Sequence, residues 1–229
     1  LVMDFINNYK RLLFLYFLLL SSCAGGDIYS ELFKTVELLI TEPKNIPTDR
    51  INSIPYASLQ VRLGRGQNTL MILEEENLGI LKWTSSNLIK MYTKNGFIIK
   101  FKGLNNELDY VELDKLHPIE VGNFESQKEI FTSFYTFNNP KLFRLPVKTK
   151  ISFIREERIK ILDKFYNTRV YEEESLKNLI SWKFKNTYWV DSSGIMIMSK
   201  QSFTPKNPEI RILYTKKYEK PAKTGFSEN

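Results

Sequence analysis

The chain has 229 residues and a formal net charge of +7, with one cysteine and one histidine. That length suits one large or two small domains, and a single thiol excludes an internal disulfide framework, so stability has to come from a hydrophobic core. Basic residues are scattered among acids and no RNA- or DNA-binding motif is present, which reads as solvated surface charge and not as a nucleic-acid footprint.

Near the start, Lys10 and Arg11 precede a wholly apolar run over residues 12–20. A spanning helix needs about 20 apolar residues, so this run reads as the core of a signal peptide. It ends in Leu20-Ser21-Ser22-Cys23: a leucine, two small residues and the sole cysteine. That is the pattern at which bacterial lipoproteins are acylated and cut. The expectation is a signal peptide over residues 1–22, then a lipidated tether over 23–26 with a diacylglyceryl group on Cys23 and a further acyl chain on the new amino group. Two or more chains anchor a protein stably where one does not, each methylene contributing about 0.8 kcal/mol. Ala24 stands where inner-membrane retention would require aspartate, which points to the outer membrane, with the domain in the periplasm.

Beyond the tether, Ile28, Leu32, Val36, Leu39 and Ile40 recur at helical spacing until Pro43. Residues 43–49, with two prolines, read as a linker. The period then falls to two. Ala57, Leu59, Val61 and Leu63 mark a half-buried strand, Gly64-Arg65-Gly66 a turn, and residues 70–73 the returning strand. Strands follow over residues 80–84, 88–93 and 97–101, the last two joined by Asn95-Gly96, a strong hairpin signal because both residues tolerate positive φ.

Residues 104–125 read as an irregular crossing. The second half opens with a strand over residues 129–137 whose two faces are both apolar enough to be covered. Pro140 and Pro146 are expected to break the next segment. Residues 151–155 and 158–162 read as strands around a charged turn at Glu156-Glu157, and residues 165–171 continue the sheet. Residues 172–180 are ambiguous between helix and strand. Strands over 184–190, 195–198 and 210–214 complete the chain. The expected fold is mainly β: antiparallel meanders forming a twisted sandwich or barrel-like domain over residues 27–229, with a short helix after the tether. One body or two lobes (27–125 and 126–229) both fit.

Chemistry-bearing patterns are sparse. His117 precedes a proline and no nucleophile-elbow sequence exists, so a satisfied structural histidine is favoured over a triad. Glu74-Glu75-Glu76 and Glu172-Glu173-Glu174 are contiguous, point to alternate faces on a strand, and read as solvated turns and not as a metal cage. No metal, no cofactor and no enzymatic activity is expected. Among the aromatic residues, Trp83, Tyr188 and Trp189 are the candidates for stacking on a sugar, against core packing as the commoner use of such rings.

Two blocks carry a family resemblance. The first is Ile54-Pro55-Tyr56-Ala57-Ser58-Leu59-Gln60-Val61-Arg62-Leu63-Gly64, with Leu81-Lys82-Trp83 and Lys94-Asn95-Gly96 after it. The second is Asn186-Thr187-Tyr188-Trp189-Val190-Asp191, then Gly194, Ser199-Lys200-Gln201, Pro205 and Lys220-Pro221. With the lipidation pattern, these resemble the YjbF/GfcB family of bacterial lipoproteins, associated with exopolysaccharide and group 4 capsule production. The resemblance implies a β-rich periplasmic domain, an outer-membrane lipid anchor and an accessory role in polysaccharide secretion, and it transfers no catalytic residue. Ile195-Met196-Ile197-Met198 departs from the valine-tryptophan pattern expected there.

Three functions therefore compete. The leading one is a non-catalytic lipoprotein that docks other polysaccharide-export envelope proteins. A carbohydrate-binding module contacting the polymer directly is second, and a glycan-modifying hydrolase third.

Overall fold

Each strand of the described chain pairs antiparallel with its sequence neighbours, and the last pairs with the first to close a barrel. This is the architecture in a computed structural model whose described residues are 46–121, 124, 130–176 and 178–218. The expected signal peptide, Cys23, the tether and the helix around residues 28–40 lie outside those residues. The wall comprises β1 (Ser58–Leu63), β2 (Thr69–Asn77), β3 (Ile80–Ser85), β4 (Lys90–Lys94), β5 (Phe97–Lys102) and β6 (Leu108–Glu112). It continues with β7 (Ile130–Asn138), β8 (Lys141–Ile161), β9 (Lys164–Ser175), β10 (Lys185–Asp191), β11 (Met196–Gln201) and β12 (Ile210–Lys216). Two short helices are described, α1 (Thr48–Asn52) and α2 (Pro118–Val121). β6 and β7, which flank residue 125, pair directly, so both halves of the sequence share this barrel.

Alternation explains the inside. Leu59 and Val61 of β1, Phe131, Tyr135 and Phe137 of β7, and Ile210 and Ile212 of β12 enter one core with Trp83, Met91 and Phe101. Asn95 and Gly96 turn β4 into β5 at φ of 46° and 88°. A Cβ on Gly96 would lie 2.6 Å from Met196 Sδ, so β11 can approach this turn only because the residue is glycine. Phe101 stacks on Phe203 at 4.5 Å, and Trp182 meets Tyr135 and Phe137 edge-on, filling the end of the barrel opposite that turn.

The longest strands do something else. β7 pairs with β8 only as far as Lys150, and β9 outruns β10, whose last partner is Thr168. A bulge falls between Phe153 and Arg155. Beyond it the β8–β9 hairpin leaves the wall and lies over the outside of the barrel. There Ile159, Ile161 and Val170 form a second core with Trp189, Ile197 and Met198, joined by Leu213 of β12.

Several expectations need correction. The linker over residues 43–49 overlaps α1, which starts at Thr48. The supposedly irregular crossing contains β6 and α2. β7 is covered on one side only: Phe131, Ser133, Tyr135 and Phe137 are buried while the alternate positions are not. Pro146 does not break β8, because it precedes Thr149, the first β8 residue matched by β9, and a strand with one neighbour tolerates a missing N–H. Glu156 and Glu157 form no turn; they pair with Arg169 and Thr168 inside the hairpin, and the reversal comes after Ile161. Residues 172–175 are strand, where pairing with both β8 and β10 overrides helix propensity.

Candidate functional site

Inside the barrel, strand parity buries a carboxylate. Glu173 lies two residues beyond Tyr171 on β9 and is 1% exposed. On the adjacent strand β10, Asn186 and Tyr188 point inward by the same alternation. His117, just before α2, reaches down from the end of the barrel. Tyr188 donates its hydroxyl to Glu173 Oε2 at 2.5 Å and Asn186 Nδ2 donates to the same oxygen at 3.0 Å. His117 Nε2 lies 3.3 Å from Oε1, and its Nδ1 accepts the Ile119 N–H at 3.2 Å. The Nε2 edge of the ring faces the carboxylate, so a proton there donates to Oε1.

The electrostatics follow from that geometry. Burial alone would raise the Glu173 pKa; hydrogen bonding and electrostatic attraction from His117, then the Tyr188 hydroxyl, outweigh it and hold the carboxyl below the usual range. Burial, then the neighbouring Glu173 charge, pushes Tyr188 and Tyr135 well above the usual phenol value. Both phenols are therefore uncharged, and His117, Asn186 and Tyr188 all lie against the carboxylate. Asn186 Oδ1 accepts the Ser202 N–H at 2.8 Å, extending the network to the segment after β11. Such an arrangement fixes α2 against β9 and β10. Both histidine nitrogens are engaged, so the ring is not placed to relay a proton to a ligand. Among the described residues, no three His, Cys, Asp or Glu groups converge on a common point.

Above this network a cavity of about 450 Å³ opens at the barrel end that carries the β2–β3, β4–β5 and β10–β11 turns. Phe124, Met196, Ile195 and Tyr214 make it largely apolar, with Lys217 and Glu76 at its rim. α2 is tied beside it: Asn95 Nδ2 donates to the Ile119 carbonyl at 2.8 Å, and Lys94 pairs with Glu120 at 2.6 Å. Burial raises the Tyr214 phenol as well, and its ring meets Trp83 edge-on at 6.4 Å.

The sequence candidates are dispersed. Trp83 is fully buried in the interior and donates Nε1–H to Thr93 at 2.9 Å. Tyr188 faces inward and belongs to the Glu173 network. Trp189, on the opposite face of the same strand, is 6% exposed beneath the β8–β9 hairpin and donates to Glu157 at 3.2 Å. None of the three offers a ring face to solvent. Cys23 lies outside the described residues. Glu173, assigned from sequence to a solvated turn, is the main correction: it is an interior strand residue with dedicated donors. The signal was the parity Tyr171, Glu173, Ser175 beside Asn186 and Tyr188, which a single segment read alone does not reveal.

Comparison with known proteins places these features in context. The family described as group 4 capsule polysaccharide lipoprotein (GfcB, YjbF) matches residues 27–214. The uncharacterized lipoprotein GfcB of Escherichia coli (strain K12) is 25% identical over 149 residues, spanning 65% of this chain and 70% of its own length. The uncharacterized lipoprotein YjbF of the same organism is 24% identical over 195 residues, spanning 80% of this chain and 86% of itself. In fold, the chain is similar to the crystal structure of the hypothetical lipoprotein YmcC from Escherichia coli (K12). The TM-score is 0.68 at 22% identity, covering 84% of this chain and 95% of that one.

Proposed function

The chain belongs to the YjbF family of group 4 capsule polysaccharide lipoproteins, and from that premise we propose that it is a non-catalytic accessory in the assembly or export of a surface polysaccharide. It is held to the outer membrane by acyl chains on Cys23, with its barrel in the periplasm, where it docks other envelope proteins of the export apparatus. The observation that carries this reading is the family match, which runs through all but the last residues of the barrel wall. The interior supports it: the polar groups of the Glu173 network are spent on one another and serve as a structural tie. An anchored protein of this kind acts through its outer surface.

The test is genetic. Surface polysaccharide is measured in a strain lacking the gene, then after complementation with the wild type or with Cys23→Ser. Loss of polymer, restored by the wild type and not by the serine variant, is expected. Unchanged polymer under conditions where the gene is expressed refutes the reading.

A further inference from the structure

On the outer face of the barrel, Arg62 of β1 and Arg211 of β12 are direct cross-strand partners. Like charges set opposite each other on a sheet are destabilising, and among the described residues no salt bridge to either arginine is seen. The Nε of each is buried without a hydrogen-bond partner. Among the described residues, Arg211 Nη2 meets the sulfur of Met198, a weak acceptor, at 3.5 Å. Burial, then the neighbouring Arg62, pulls the Arg211 pKa below its usual value.

The two guanidiniums border a cleft of about 360 Å³ between the barrel wall and the curled end of the β8–β9 hairpin. Lys160 comes from that hairpin, and Gln60 and Thr215 from the wall. Among the described residues, three cations and no carboxylate line the cleft. Its volume lies at the lower end of the range of about 300–1,000 Å³ that small-molecule sites occupy. Guanidinium forks match the two oxygens of a carboxylate or phosphate, and both guanidinium-bearing residues line this cleft. The cleft is recessed under the hairpin and shares its cations with amide and hydroxyl side chains, which suits a sugar bearing an oxyanion better than a headgroup presented in a flat bilayer.

We infer that the cleft framed by Arg62, Arg211 and Lys160 binds an oxyanion, carboxylate or phosphate, carried by an acidic saccharide. This rests on the polysaccharide reading above and extends it to direct contact through a defined site. The aromatic residues singled out from sequence take no part in it.

The experiment titrates the full chain in detergent with an oligoglucuronate, with a neutral oligoglucose of equal length and with inorganic phosphate, and, after detergent removal, with phosphatidylglycerol vesicles. Calorimetry on the wild type is compared with Arg211→Gln and with Arg62→Gln/Arg211→Gln. Binding of the oligoglucuronate and not the oligoglucose is expected, weakened more than about tenfold by the single change and lost in the double, with inorganic phosphate competing. The melting temperature of the double variant is expected to match or exceed that of the wild type, because the change relieves repulsion. Any of three results overturns the inference: no binding of the oligoglucuronate, binding indifferent to the double change, or vesicles bound through these arginines while the sugar is not. A clear fall in melting temperature in the double variant also overturns it, since the pair would then be structural. A deletion strain that loses its polymer although the protein ignores the oligoglucuronate sinks this inference and leaves the accessory role standing.

Discussion

Replacing Tyr188 by phenylalanine removes one oxygen from the barrel interior and leaves the ring in place. The oxygen lost is the hydroxyl that donates to Glu173 at 2.5 Å, while His117 and Asn186 keep their bonds to the carboxylate. Asn186 also loses a contact of 3.1 Å to that hydroxyl but retains Glu173 as its acceptor. Leaving a buried polar group short of a partner costs about 1–3 kcal/mol, and more when it is charged. With two of three donors kept, the expected loss is about 2 kcal/mol, or roughly a thirtyfold fall in the ratio of folded to unfolded chain. The sign with pH is set by the depressed Glu173 pKa. Its contribution is fully present above the unfolded value of 4.5 and is lost as pH falls through the folded value. Tyr188→Phe raises the folded value back toward the unfolded one, so the gap between wild type and variant is wide at about pH 7 and narrows by about pH 3. Urea unfolding of both proteins at the two pH values, followed by tryptophan fluorescence, measures it. An equal midpoint at neutral pH, or a gap that does not narrow in acid, would refute the account of Glu173 as a buried, donor-held anion.

Two further substitutions probe the packing. Trp189→Ala empties the centre of the outer core between the wall and the β8–β9 hairpin; a loss of about 3–5 kcal/mol is expected, with faster proteolysis near residues 162–163. Cleavage there no faster than in the wild type would mean the hairpin is held by other contacts. Gly96→Ala places a Cβ 2.6 Å from Met196 Sδ and 2.8 Å from its Cβ, at a φ of 88° that alanine rarely adopts. A loss of about 1–3 kcal/mol is expected in a urea melt, and a neutral result would show that β11 yields freely.

What could be read from the residues depended on how local the causes were. Asn95-Gly96 announced its hairpin because the required positive φ is a property of those two residues alone. β1 through β5 were visible because turn residues bound each apolar run, although β1 and β5 turn out to be buried on both faces over part of their length. β6 was missed: five residues, Leu108–Glu112, give period-two patterning little room between polar flanks. Glu156-Glu157 looked like a turn because β7 no longer covers β8 there, and the acids meet solvent and arginine across the strand pair. Glu173 was misread for the opposite reason. Its donors come from positions 117, 186 and 188, and only the register of β9 against β10 with α2 above brings them together. Arg62 and Arg211 looked like ordinary surface charge, since their opposition exists only once the barrel closes.

That closure also sets the order in which the molecule can come into being. Leu59 pairs with Tyr214 and Leu63 with Ile210, so the earliest strand waits for the last one made. Until residues 210–216 are free to join, β1 and β11 each keep a row of unspent peptide groups, ready to recruit any passing strand. Contacts so far apart in sequence form slowly, and the exposed interval is when aggregation competes with folding. A chain cut short before residue 210 is therefore not a slightly smaller barrel but an open sheet, and its fate depends on whatever shields it meanwhile.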